Sequence, residues 1–194
     1  MCHPGHAAGL APTLDDYHRT AWHLFAGEEH YPRASTQSGS ERPFLFRFDQ
    51  LEGDRHLLRL RSDRPFPGAK QRQQTFNPGA PLRLAWHWIP SVATRLSPTG
   101  ERLPRSRHVP APRERWKVLL SERLQRHGLT VAPEQINCQP LGRWRQRHDL
   151  PAWHEVVHIS ARVTVTDPQR AALAWLSGLS RLRAYGMGLL LLEE

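Results

Sequence analysis

Apolar residues recur with two different periods along the 194-residue chain, and these periods predict its helices and strands. Helical spacing is found in three segments that each end at a glycine: residues 13–27, 112–128 and 168–178. Strand-like segments occupy residues 44–50, 55–62, 81–89, 129–139, 157–166 and 189–194, and apolar and polar residues alternate in 81–89 and 157–166. The first two strand segments flank LEGD, which predicts a β-hairpin.

The order of these elements predicts the fold class. From residue 81 onward the order is strand, helix, strand, strand, helix, strand, which is the βαββαβ pattern of a ferredoxin-like unit. The first 80 residues contain a helix and a hairpin but no convincing opening strand, so they are interpreted as a reduced copy. We expect an α+β protein with two ferredoxin-like units in tandem, divided into domains 1–78 and 79–194. Two such units side by side form a sheet surface suited to RNA.

One strand segment contains the zinc-protease pattern H-E-x-x-H. His154 and His158 lie in WHEVVHISARVTVTD, residues 153–167. The pattern binds zinc only on a helix, where the two histidines stand one turn apart. Here apolar and polar residues alternate strictly from Val157 to Thr166, and residues four apart in a strand are separated by roughly 13 Å. The metalloprotease interpretation is therefore disfavoured.

Charge is concentrated in one part of the chain. Lysine and arginine number 27 against 18 acidic residues, and residues 81–126 contain ten basic and three acidic side chains. Basic surplus beside tryptophan and histidine is typical of a nucleic-acid surface, although a solvated face in an arginine-rich sequence would look the same. Residues 90–112 and 140–151 are predicted to form extended basic loops.

The remaining composition narrows the protein class further. Cys2 and Cys138 provide no disulfide framework, the N-terminal residues have no signal-peptide pattern, and the longest apolar run is too short to cross a bilayer. We therefore expect a soluble cytoplasmic protein without membrane contact. Cys2, His3 and His6 could form a weak metal site, but a disordered terminus is the favoured interpretation. No metal or cofactor is expected.

Three stretches resemble the CasE-type CRISPR RNA-processing endoribonucleases, members of the RAMP superfamily from type I-E systems. YHRTAWHLF (17–25) is similar to the family's first helix, and PLRLAWHWIPSVATRLSPTGERLPRSRHVP (81–110) resembles its strand and basic segment. RVTVTDPQRAALAWLSGLSRLRAYGMGLLLL (162–192) resembles the closing strand, helix, glycine-rich loop and strand. The RAMP signature G-x-G-L stands here as residues 186–189.

The resemblance implies cleavage of a CRISPR repeat hairpin at the base of its stem without a metal. A ribose 2′-hydroxyl attacks the adjacent phosphate, leaving a 2′,3′-cyclic phosphate, and the enzyme stays on the product within a Cascade-like effector complex. The matching catalytic residue is His18, with Tyr17 or Asp15 assisting. A carboxylate three residues before His18 would favour its protonated, acid form.

RNA contacts are expected from three sets of arginines. The first set matches the family's hairpin-gripping segment, the second flanks Trp144, and the third lies on the glycine-rich loop: Arg95, Arg102, Arg105 and Arg107; Arg143, Arg145 and Arg147; Arg181 and Arg183. The second set could equally be a solvated turn. Gly178, Gly186 and Gly188 are expected to serve backbone conformation and close approach to RNA.

Several positions depart from the family pattern. Asp15 stands where a tyrosine is common, Ser180 stands where glycine is usual, and HWIPSV replaces the R-A-N-P-type turn. These changes leave open an alternative, a non-catalytic subunit of an effector complex that holds the crRNA hairpin without cutting it.

Overall fold

The computed structural model describes residues 11–26, 43–52, 55–180 and 182–193. Within these ranges, the three helices are α1 (Leu14–Ala26), α2 (Trp116–Arg126) and α3 (Pro168–Ser177). The strands of the described residues are β1 (Leu45–Gln50), β2 (His56–Arg61), β3 (Pro81–Trp88), β4 (Ser91–Leu96), β5 (Arg102–Pro110), β6 (Leu129–Thr130), β7 (Ile136–Arg147), β8 (Leu150–Val165) and β9 (Leu191–Leu192).

The C-terminal part forms an antiparallel sheet with β8 and β3 at its centre. β3 pairs with β9 on its outer side, and β8 pairs on its other side with both β6 and β7. This order, with α2 and α3 as the two crossover helices, confirms the predicted ferredoxin-like unit. Apolar residues from the sheet and both helices form one core, including Trp86, Leu120, Leu124, Ile159 and Ala174.

The strand period settles the zinc-protease question. His154 and His158 both lie on β8, as the alternation of apolar residues predicted. Among the described residues there is no group of three or more potential metal ligands. The H-E-x-x-H string is therefore part of a strand.

The predictions that residues 90–112 and 140–151 form extended loops are both wrong. Residues 90–112 contain the antiparallel hairpin β4–β5, and residues 140–151 belong to β7, β8 and the tight turn between them. The alternation of apolar residues that reveals a strand arises when one face is buried. Most side chains of β4 and β5 are exposed, so these strands have no apolar face for the sequence to display.

The N-terminal part consists of the β1–β2 hairpin with α1 on one face. Phe44, Phe46 and Phe48 pack against Tyr17 and Trp22 of α1. The predicted hairpin and helix are confirmed. The N-terminal segment expected to lack a first strand, with Cys2, His3 and His6, lies outside the described residues. The division near residue 78 stays a prediction.

The opposite face of the β1–β2 hairpin packs on the C-terminal unit through polar contacts. Arg61 stacks 3.4 Å above the Trp175 ring and donates hydrogen bonds to the carbonyl oxygens of Trp175 and Leu190. Burial lowers the pKa of Arg61 to about 10. Nearby, the His87 Nε2 lies 3.5 Å from the Asp49 carboxylate. These contacts fix the two parts against each other.

Candidate functional site

Helix α1 is fixed at its first turn by a reciprocal cap. The Asp16 side chain accepts hydrogen bonds from the backbone N–H and the hydroxyl of Thr13, each at 2.8 Å, and Thr13 Oγ1 accepts one from the Asp16 N–H. The same Asp16 carboxylate lies 3.0 Å from His148 Nε2, in the turn between β7 and β8. Burial alone would raise the pKa of Asp16, but the hydrogen bonds of Thr13 and the nearby His148 outweigh it and lower the pKa.

His18 lies one turn beyond this cap, on the side of α1 that meets aromatic residues. Its half-buried ring stands 6.4 Å from the Trp22 ring and 6.2 Å from the Phe46 ring, measured between centroids. The short 3₁₀ helix at Arg183–Tyr185 contacts both α1 and β1. His18 is therefore carried on a helix that packs against β1 and the glycine-rich loop.

Tyr17 points into the core beside His18. Its ring is 2% exposed, stacks on Phe48 at 4.0 Å, and meets the edge of Trp144. Its hydroxyl lies 2.9 Å from His56 Nδ1. Burial, and then the Asp16 carboxylate, raise the pKa of Tyr17. In this arrangement Tyr17 supports the helix and His56.

Asp15 is engaged with a neighbour on the same helix. Its carboxylate lies 3.2 Å from Arg19 Nε, four residues along the chain. The Asp15 carboxylate, which is expected to assist His18, is therefore ion-paired with the Arg19 guanidinium.

The glycine-rich loop packs tightly where its glycines stand. A Cβ on Gly188 would lie 2.5 Å from the Ser180 backbone nitrogen, and a Cβ on Gly186 would lie 3.0 Å from Phe46. Both glycines have positive φ angles, of 85° and 81° respectively. Gly178 also has a positive φ and ends α3 beside the Gly188 carbonyl and Leu45. Because glycine has no side chain, the loop can approach β1 this closely at these positions.

Two residues of this loop have specific polar contacts. Arg183 donates to the carbonyl oxygen of Ser177 at the end of α3. Gln146 of β7 donates to the Tyr185 hydroxyl at 2.7 Å, and its own oxygen lies 3.0 Å from His154 Nε2. Arg181 lies outside the described residues. The loop is thereby linked to the β7–β8 hairpin.

The first predicted arginine set lies on the β4–β5 hairpin. Arg95, Arg102 and Arg105 are exposed, whereas Arg107 is half-buried and donates through Nε to the Leu96 carbonyl at 2.9 Å. Since β4 and β5 pair only with each other among the described strands, the hairpin forms a separate two-stranded sheet. Its pairing shifts register between Thr94 and Leu96, and Arg95 lies at this irregularity.

The second arginine set lies on β7, and Trp144 within it is an anchor. Trp144 packs 4.9 Å from Phe48, so the solvated-turn interpretation fails for this residue. Arg145 is half-buried, and Arg147 pairs with Asp149 at 2.8 Å. Alternation places Arg143 and Arg145 on one face of the strand and Trp144 on the other, and a register shift follows between Arg145 and Arg147.

The sequence interpretation missed Trp153. This residue is 51% exposed and lies directly opposite Arg145 across the β7–β8 ladder. An exposed aromatic ring opposite arginine is a combination found at RNA surfaces. The alternation of β8 could have predicted that Trp153 is exposed, because it lies on the same face as Glu155 and on the opposite face from the buried Val156.

Comparison with known proteins identifies one family. The family model described as "CRISPR associated protein" matches residues 6–194. A search of curated protein sequences finds no match. Among solved structures, Cas6e from Escherichia coli str. K-12 aligns with a TM-score of 0.67 at 19% identity, covering 93% of this chain and 91% of that one.

Two further structures are similar over nearly the whole chain. CRISPR endoribonuclease Cse3 bound to a 19-nt RNA aligns with a TM-score of 0.67 at 21% identity, covering 94% of this chain and 90% of that one. A chain of a CRISPR RNA-guided surveillance complex in a pre-nicking state aligns with a TM-score of 0.62 at 20% identity, covering 96% and 93%. These similarities show the shared fold of two ferredoxin-like units in tandem.

Proposed function

Because this chain belongs to the CRISPR-associated protein family, we propose that it binds the hairpin of a CRISPR repeat RNA and cleaves the precursor at the stem base. The observation that carries this proposal is the position of His18, on a capped helix packed against β1 and the glycine-rich loop. Similarity to an endoribonuclease with bound RNA supports the same activity.

The proposed reaction is an internal transesterification of RNA. The 2′-oxygen at the cleavage site attacks the adjacent phosphorus, the bond from phosphorus to the 5′-oxygen breaks, and a 2′,3′-cyclic phosphate forms. A base takes the proton of the 2′-hydroxyl, and an acid gives a proton to the departing 5′-oxygen. Both transfers suit an imidazole, whose ordinary pKa is near neutrality. We assign His18 as the main acid–base group for these proton transfers, which use no metal or cofactor.

The neighbours of His18 have supporting parts in this proposal. Tyr17 is buried and bonded to His56, so we assign it to positioning of the helix. Asp15, paired with Arg19, contributes to the charge near the first turn.

The arginine hairpins bind the stem in this proposal. Arg95, Arg102, Arg105 and Arg107 contact phosphates from the β4–β5 hairpin, and the arginines of β7 contact them from the second. Phosphate contacts fix the register of an RNA helix without reading its sequence. Arg181 and Arg183 are proposed to approach the scissile phosphate from the glycine-rich loop.

The product complex is also part of the proposal. One similar chain comes from an RNA-guided surveillance complex, which supports retention on the crRNA hairpin beside other effector subunits. We assign residues 1–78 to a domain carrying the catalytic helix and residues 79–194 to a domain carrying the basic hairpins. No helix in the described residues is long and apolar enough to cross a membrane.

The test uses the repeat hairpin from the same genome, labelled at its 5′ end and incubated with excess EDTA. We expect a single cut near the stem base and a 5′ product that ends in a cyclic phosphate, detected as a mass 18 Da below that of the open phosphate, the mass of one water. A matched RNA with a single 2′-deoxy nucleotide at the cut should bind equally and remain intact. Cleavage of the deoxy RNA, or cleavage that requires a divalent metal, would contradict the mechanism.

A hairpin-holding subunit without nuclease activity is the second candidate. The observation that favours it is the engagement of both residues expected to assist His18: Asp15 pairs with Arg19, and Tyr17 is buried. Tight binding of the uncut RNA under the same conditions would support this candidate.

A further inference from the structure

A shallow concavity of about 350 Å³ lies on the face of the C-terminal sheet opposite α2 and α3. Its lining contains neither His18 nor any of the arginines proposed above to bind the stem. Its polar lining comes from β3, β8, the start of β7 and the chain's last described residue: Arg83, Gln135, Asn137, Ser160, Arg162 and Glu193. The volume falls within the range of about 300–1,000 Å³ that small-ligand sites occupy.

The charge arrangement in this concavity is unfavourable on its own. Arg83 and Arg162 are cross-strand partners in the β3–β8 ladder, so two exposed guanidinium groups project from directly opposed positions. Like charges at such positions destabilise a sheet. Among the described residues, neither arginine has a carboxylate within ion-pair distance, and Glu193 lies 4.0 Å from His158 instead. Within the described residues the arginine pair has no ion-paired carboxylate to offset its repulsion, and Glu193 is the one carboxylate in the lining of the concavity.

Neutral donors flank the arginine pair. Asn137 is the cross-strand partner of Ser160, one position along the same face of β8 from Arg162, and Gln135 precedes β7 at the same edge. Amide and hydroxyl groups can bond to a ribose hydroxyl or a base edge, while planar guanidinium groups match the oxygens of a phosphate. Together these side chains could bind a ligand that carries both a phosphate and polar groups such as hydroxyls.

We propose that this concavity binds one nucleotide of the unpaired RNA that flanks the repeat hairpin, with Arg83 and Arg162 on its phosphate. The inference rests on the proposed function and adds a contact outside the stem. An unpaired strand fits because a single nucleotide can enter a concavity, whereas a rigid duplex contacts convex or grooved surfaces along its backbone. The phosphate supplies the charge that the arginine pair lacks.

The test compares two RNAs by fluorescence anisotropy: the repeat hairpin alone, and the hairpin carrying its natural single-stranded extensions. The variants are Arg83→Gln with Arg162→Gln, and a control with Arg115→Gln and Arg126→Gln, two exposed arginines on the α2 side of the sheet. Wild type and control should bind the extended RNA more tightly than the hairpin. The test variant should lose this gain and bind the hairpin normally.

Salt dependence provides the second reading. Loss of one single-strand phosphate contact should reduce the slope of log K against log salt by about 0.7, for the extended RNA only. The thermal midpoint of the test variant should equal or exceed that of wild type, because repulsion has been removed. A retained gain in the test variant, or no gain in wild type that binds the hairpin, overturns the inference and leaves the proposed function intact.

Two other outcomes also decide the matter. If wild type fails to bind the hairpin alone, the proposed function fails and this inference with it. If the test variant keeps the full RNA gain but no longer assembles with effector-complex subunits, the concavity is a protein contact and the RNA assignment is overturned.

Discussion

Helix α1 and the β4–β5 hairpin carry the two main sets of proposed functional residues, and their surroundings differ sharply. On α1, Leu14, Tyr17 and Ala21 are at most 2% exposed, and a cap fixes the first turn. On β4–β5, nearly all side chains are exposed or half-exposed and the two strands pair only with each other in the described structure. Proton transfer requires a group held within a fraction of an ångström, whereas phosphate binding by several cations tolerates displacement of any one.

The largest effect of disturbing the packed region is expected from Gly188→Ala. A Cβ there would lie 2.5 Å from the Ser180 backbone nitrogen, and the φ of 85° is unfavourable for alanine. We expect the free energy of unfolding to fall by about 2–5 kcal/mol, from left-handed strain and overpacking together. Chemical denaturation measures this loss.

The control for that variant is Gly100→Ala in the β4–β5 turn. Gly100 has a φ of 88°, but nothing lies within 4 Å of its added Cβ. It should therefore lose only about 1–2 kcal/mol from the left-handed conformation. Equal losses for the two variants would show that the glycine-rich loop can shift away from Ser180.

Neutralising the β4–β5 hairpin should weaken RNA binding without slowing the chemical step. Replacement of Arg95, Arg102, Arg105 and Arg107 by glutamine should reduce the slope of log K against log salt by up to about 3.6, or 0.9 for each duplex phosphate contact. The single-turnover rate at saturating protein should stay unchanged.

A control with three cations removed instead of four lies in the segment between β2 and β3. Arg64, Lys70 and Arg72 are exposed there, and their replacement by glutamine should leave the slope nearly constant. A slope that falls by the same amount per removed cation in both variants would mean that total charge, and not the hairpin, governs RNA binding.

The cap of α1 makes stability depend on acid pH. Since the pKa of Asp16 is lowered below 3.8 in the folded protein, its stabilising contribution is present above pH 4 and is lost as the pH falls through the lowered pKa. Asp16→Asn should cost about 1 kcal/mol at neutral pH, with a smaller difference from wild type near pH 3. Asp63→Asn, at an exposed position, is the control; a difference that grows toward low pH would refute the assignment.

The smallest effect is expected from Tyr17→Phe. Loss of the hydrogen bond to His56 should reduce the free energy of unfolding by about 1 kcal/mol, while the ring keeps its stacking on Phe48. Cleavage should change by less than threefold if Tyr17 only positions α1. A rate loss of about a hundredfold or more would instead make its hydroxyl a participant in proton transfer.

The sequence predicts the packed region better than the exposed one for a physical reason. The sequence predicts a helix over residues 13–27 and α1 spans Leu14–Ala26, because burial of one face imposes an apolar stripe. The ladder of β4–β5 satisfies backbone groups without burying a face, so its side chains carry no period. Arg61 on Trp175 and Asp16 beside His148 join residues far apart in the chain, and no local pattern encodes them.

The most direct test of these separate roles, proton transfer by His18 and RNA binding by β4–β5, measures binding and single-turnover cleavage of the repeat hairpin on the same samples. His18→Ala is compared with the four-arginine variant of β4–β5. We expect His18→Ala to keep its dissociation constant within about twofold while its cleavage rate falls by 10²–10⁴, the usual contribution of a positioned acid or base. The four-arginine variant should bind more weakly while its cleavage rate at saturating protein stays unchanged. Cleavage by His18→Ala at the wild-type rate would contradict the account, because another residue would then move the proton.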